Sequence, residues 1–86
     1  MPEISRFYGL RITINYSEHL PPHFHAQYGD NEAQVSIATG EIVNGSLPGR
    51  ARAMVREWTG LHRAELEEDW RLRGLMKPLN KIEGLE

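Results

Sequence analysis

The stretch "HLPPHFHAQYGD", residues 19–30, places His19, His23 and His25 close together around a Pro-Pro pair. Imidazole is a ligand for transition metals and also exchanges a proton near neutral pH. His23 and His25 are two residues apart, so on an extended strand they point the same way, with Cβ atoms about 7 Å apart. That separation suits shared contact with one ion. A divalent transition metal such as zinc then needs a third nitrogen or carboxylate. His19 or Asp30 is the favoured supplier, and Glu18 and His62 carry suitable atoms too. Without a metal, His23 and His25 offer acid–base chemistry, and Arg11 offers a positive charge for a phosphorane-like transition state, as in a small toxin-like nuclease. The plainest account makes the histidines surface groups that bond across strands or face a partner. No nucleophile elbow, phosphate loop or paired-carboxylate signature supports another chemistry.

The chain that must position these groups is short. Its 86 residues support one domain, 1–86, with a thin core. It has no cysteine, which excludes disulfides and thiolate ligands and fits a reducing cytoplasm. "MPEISRF" lacks a signal pattern and no apolar run reaches membrane-spanning length, so a cytoplasmic protein is expected. A net charge of −2 argues against nucleic acid as a partner, because that affinity comes mostly from neutralised phosphates. Charge is nevertheless unevenly placed. Arg50, Arg52, Arg56 and Arg63 cluster first, then Glu65, Glu67, Glu68 and Asp69. On one continuous helix that order opposes the helix dipole. Arg52, Arg56 and Arg63 would share its outer face, a charged surface for docking.

Hydrophobic spacing predicts an α+β fold. "LRITINYS" alternates, with Leu10, Ile12, Ile14 and Tyr16 on one side. In "HFHAQY", Phe24, Ala26 and Tyr28 oppose His23, His25 and Gln27. "EAQVSIA" sets Ala33, Val35 and Ile37 on one face, and Thr39-Gly40 turns the chain into "EIV". Residues 1–45 therefore read as an antiparallel meander of three to four strands. Over 48–74 the apolar residues Ala51, Met54, Val55, Trp58, Leu61, His62, Leu66 and Trp70 recur at three- and four-residue steps. Pro48 suits the first turn and Gly74 the end. A straight helix over 49–73 would run about 37 Å, too long for so small a domain. One bent helix or two helices on one sheet face, broken near Gly60, is expected. Residues 75–86 read as an extended tail pinned loosely by Leu79, Ile82 and Leu85. In this arrangement His23 and His25 lie on the open polar face with Arg11, Thr13, Gln27 and Gln34. The edges of so small a sheet leave room for a homodimer.

"PEISRFYG", "PPHFHAQYGD", "TGEIVNGSLPGRA", "EWTGLHRAELEEDW" and the terminal "KIE" together resemble a bacterial family, domain of unknown function 4160. The blocks span nearly the whole chain in order, although Gly84 stands where the family tends to have proline. The resemblance implies no established activity. It implies a small stand-alone protein, frequently encoded beside a member of domain of unknown function 2442, in a toxin–antitoxin-like pair. The expected function is thus a protein-binding or regulatory module, with His19, His23, His25, Gln27, Arg52 and Arg56 as binding residues. The alternative is a small metal-dependent or histidine-based enzyme.

Overall fold

The computed structural model describes residues 2–86. Five strands come first: β1 (Glu3–Phe7), β2 (Leu10–Thr13), β3 (His23–Tyr28), β4 (Asn31–Ser36) and β5 (Ile42–Gly45). They form one antiparallel sheet in sequential order. Two helices follow, α1 (Gly49–Leu61) and α2 (Arg63–Gly74). The fold is α+β, with one strand more than the upper expectation.

The additional strand is β1. Its alternation is hidden by an irregular register between Glu3 and Ser5, which buries Ile4 and Ser5 together. Tyr8 and Gly9, at φ 47° and 84°, make the two-residue turn into β2, and positive φ at both positions matches the twist of paired strands. β2 ends earlier than the alternation of "LRITINYS" predicts. The Asn15 Oδ1 accepts from the Ser17 N–H at 3.2 Å and from the Ser17 hydroxyl at 3.1 Å. This local side-chain turn competes with the strand ladder. Residues 14–22 consequently form a loop.

β3 and β4 follow the expected alternation. Ile12, Ala26 and Ala33 sit side by side across three strands, and Phe24 faces Val35. These residues, Val55 and Trp58 of α1, Leu66 of α2 and Ile82 of the tail belong to one buried cluster. Trp58 is its hub. Its indole lies 5.3 Å from the Phe7 ring and meets Phe24 edge-on at 5.6 Å. The indole N–H donates to the Glu83 carbonyl at 2.7 Å.

Pro48 is the residue before α1, its carbonyl accepting from the Arg52 N–H at 2.9 Å. The helical stretch breaks at His62, not Gly60; His62 has φ −120° and ψ 23°. Its N–H still bonds to Trp58 and its carbonyl to Leu66, so the chain turns without losing its helical bonds. A straight rod would not have fitted a molecule 34 Å in its longest dimension. The break also resolves the charge order. Glu65 falls in the first turn of α2 and Arg71 and Arg73 in its last, which agrees with that helix's dipole. Arg63 leaves the expected outer basic face, because its Nε–H donates to the Ile37 carbonyl at 3.0 Å. Leu61, expected in the apolar stripe, is exposed where α1 ends.

Residues 75–86 have no regular structure, yet they are firmly held rather than loosely pinned. The Ile82 N–H donates to the Ile4 carbonyl at 2.7 Å and the Lys81 ammonium to the Glu3 carbonyl at 2.6 Å. This covers the β1 side of the sheet. Gly84 presses on Phe7, so that a Cβ there would stand 2.6 Å from the Phe7 Cβ.

Candidate metal centre

His23 and His25 occupy alternate positions of β3, on the face that also carries Thr13 and Gln34 in the neighbouring strands. That face is not open here. Both histidines are only 8% exposed, against the expectation of an uncovered polar surface. The 14–22 loop supplies a carboxylate to both rings, and the Trp70 ring of α2 lies 5.6 Å from that of His23.

Glu18 is the contributor from the loop. Its Oε1 lies 2.7 Å from His25 Nε2 and its Oε2 lies 3.1 Å from His23 Nε2. One candidate ligand atom each from Glu18, His23 and His25 lies within 4.8 Å of the other two. His19 and Asp30, the favoured third ligands, stand outside this triplet and are exposed. His19 sits in the loop beyond Glu18, and Asp30 occupies the turn between β3 and β4. His62 is elsewhere, its Nδ1 paired with Glu65 at 2.6 Å.

The hydrogen bonds fix more than position. His23 Nδ1 is 2.9 Å from the Pro21 carbonyl. A carbonyl only accepts, so this nitrogen carries the proton. In the neutral ring Nε2 then has only a lone pair, and that lone pair faces a carboxylate oxygen, also an acceptor. This contact is closed by a proton, on the ring or on the carboxyl, or by a metal ion. Across the site, His25 Nδ1 has no hydrogen-bond partner, with Glu32 Oε2 3.6 Å away. A histidine that ligates through one nitrogen commonly donates its other N–H to a carboxylate or carbonyl. Pro21 fills that role for His23, and Glu32 stands nearest to it for His25.

The Glu18 carboxyl is held below its usual range, first by the hydrogen bond from His25 and further by the charges of His23 and His25, against the opposing effect of burial. Two ligand atoms each about 2.1 Å from a tetrahedral ion are about 3.4 Å apart. The Glu18 oxygens, at 2.7 and 3.1 Å from the ring nitrogens, would thus have to move outward by less than about 1 Å to meet that spacing.

The other residues singled out from the sequence are not drawn into this triplet. Arg11 pairs across β2 and β3 with Gln27, two residues along the strand from His25, and its guanidinium is committed to Glu3 at 2.9 Å. Arg52 and Arg56 lie on α1 and line a groove of about 470 Å³ together with Glu41, Gly49 and Glu57. Arg56 is paired with Glu41 at 3.2 Å.

Two groups near the site went unnoticed in the sequence. Glu32 was legible in principle: the "YGDN" turn sets Gln27 opposite Glu32 and places Glu32 on the His25 face. Arg73 carried no such local signal. Its Nη1 donates to the carbonyls of Tyr16, at 3.1 Å, and Glu18, at 3.3 Å, more than fifty residues away.

No curated protein and no solved structure matches this chain. No helix among the described residues is long and apolar enough to cross a membrane. A family model described as "Domain of unknown function (DUF4160)" matches residues 9–71. That span holds all three residues of the triplet and covers more than half of the chain, which therefore belongs to the DUF4160 family.

Proposed function

We propose that this protein binds one divalent transition metal through Glu18, His23 and His25. One observation carries the reading: His23 Nε2 and Glu18 Oε2, both acceptors when the ring is neutral, face each other at 3.1 Å in a part-buried site. Two imidazoles and a carboxylate form a donor set for zinc or iron(II). Three protein ligands leave at least one coordination position, where a bound water would become more acidic.

The test is elemental analysis of untagged protein, followed by titration with zinc, nickel, copper and iron(II). One equivalent should bind tightly, and a His23→Ala/His25→Ala double variant should bind none. Equal, weak binding by both proteins would refute the site.

A second reading, the protein-binding module, draws on α1. Arg50 and Arg52 start a helix whose first turn contains no acidic residue, and Arg52 lines the groove described above. A separately encoded small protein of the domain of unknown function 2442 family would dock here, with charges matched to the two arginines and to Glu41 and Glu57 in the groove. Calorimetry of the two proteins, with an Arg52→Ala/Arg56→Ala variant for comparison, tests it. An unchanged affinity in that variant would remove the groove from the interface.

A further inference from the structure

The geometry points to Arg73 as the residue that positions Glu18 for the metal, an inference that rests on the metal-binding reading above. His23 and His25 are fixed by β3. Glu18, by contrast, belongs to a loop whose backbone is not in the sheet, so something else must hold its carboxylate over the rings.

Arg73 does this from the last turn of α2. A single guanidinium nitrogen, Nη1, donates to the carbonyls of Tyr16 and Glu18, clasping the residues on each side of Ser17. The guanidinium is itself aimed. Its Cζ sits over the Trp70 ring, 3.9 Å from the centroid, an arrangement favoured by the ring's negative face. The same Trp70 ring lies against His23. Trp70 therefore touches one ligand directly and orients the group that holds another. A further bond ties the loop to the chain just past α2: the Tyr16 hydroxyl donates to the Lys77 carbonyl at 2.6 Å.

Arg71 provides an internal control. It occupies the same last turn and carries the same charge, but it pairs with Glu68 at 2.6 Å on the exposed surface. Loss of either arginine changes the net charge and the helix-end electrostatics equally. Of the two arginines, only Arg73 bonds to the loop.

The experiment is titration with cobalt(II), whose visible spectrum reports ligand geometry, using wild type, Arg73→Ala, Arg73→Lys and Arg71→Ala. Groups that support metal ligands typically contribute about 10- to 100-fold in affinity. Arg73→Ala should lose that much and show an altered cobalt spectrum, while Arg71→Ala stays within about twofold of wild type. Arg73→Lys should recover part of the loss, because an ammonium can reach one carbonyl but cannot stack as arginine does. Equal affinities in folded Arg73→Ala and Arg71→Ala would overturn the inference. Should Arg73→Ala fail to fold, Arg73→Lys and Trp70→Phe carry the same comparison. If wild type binds no cobalt, zinc or iron(II), the metal reading itself has failed. The clasp is then judged by amide exchange at residues 16–18: faster exchange in Arg73→Ala but not in Arg71→Ala supports it, and equal rates refute it.

Discussion

Glu18 meets two ring nitrogens with different needs, and this gives the site a signature at the scale of one atom. His25 Nε2 can donate to the carboxylate in the neutral ring, whereas His23 Nε2 cannot while its Nδ1–H is held by Pro21. Glutamine at position 18 would suit both neutral rings, with its carbonyl oxygen accepting from His25 and its amide donating to His23. Glu18→Gln should therefore melt at or above the wild-type temperature in metal-free protein and yet lose at least about tenfold in metal affinity. A fall in melting temperature with unchanged metal affinity would mean that Glu18 serves as the partner of a protonated His23, not as a ligand. Asp69 poses a separate residue-scale problem. It is fully buried, one oxygen accepts the Asn80 N–H at 2.8 Å, and the other has no partner. Burial pushes its carboxyl up, reinforced by Glu68 and Glu65, against the opposing Asn80 bond. With the folded pKa above the unfolded one, the protonated form stabilises the fold fully below the unfolded pKa, and this contribution is lost as pH rises through the folded pKa. Asp69→Asn keeps the oxygen that accepts from Asn80 and never ionises. Its melting temperature should match wild type near pH 3 and exceed it near pH 7, and the reverse order would contradict the raised carboxyl.

At the scale of elements, the tail matters more than its composition suggests. Trp58, Ile4 and Glu3 each give or take a bond with residues 81–83, and Gly84 lets the backbone lie against Phe7. Gly84→Ala inserts a methyl group where the Phe7 side chain already stands, so it should destabilise by about 1–3 kcal/mol in urea unfolding. A neutral result would mean that the tail does not dock there. Little in "KPLNKIEGLE" announces this beyond the apolar Leu79, Ile82 and Leu85, because Ile82 and Glu83 bond through backbone groups that any residue could supply. The same contrast runs through the fold. β3 and β4 were legible because their apolar side chains alternate onto the core face, and the register must obey that alternation. β1 was not, since an irregular register shifts Ile4 out of phase. The early end of β2 depends on Asn15 satisfying Ser17, a contest between local and ladder bonds that spacing alone does not decide. Two of the three proposed ligands followed from strand period. The third did not, because Glu18, His19 and Asp30 all carry suitable atoms and the path of a loop chooses among them.

Taken as a whole molecule, the triplet joins parts of the chain that would otherwise separate easily. Glu18 comes from a loop, His23 and His25 from the sheet, and the loop is clasped by Arg73 at the end of α2. So small a protein has a thin margin of stability, and an ion that holds the loop to the sheet binds the folded chain in preference to the unfolded one. Free metal at one hundred times its dissociation constant would then add about 2.7 kcal/mol. For a domain of this length that corresponds to a rise of roughly 10–20 °C in Tm. Calorimetry with and without a chelator should show this rise near pH 7. Amide exchange adds a spatial check. Metal should slow exchange most at residues 15–23, where loop meets strand, and least on the outer face of α1. A rise in Tm with protection spread evenly over α1 would place the ion elsewhere, whereas protection confined to the loop would tie the gain in stability to Glu18.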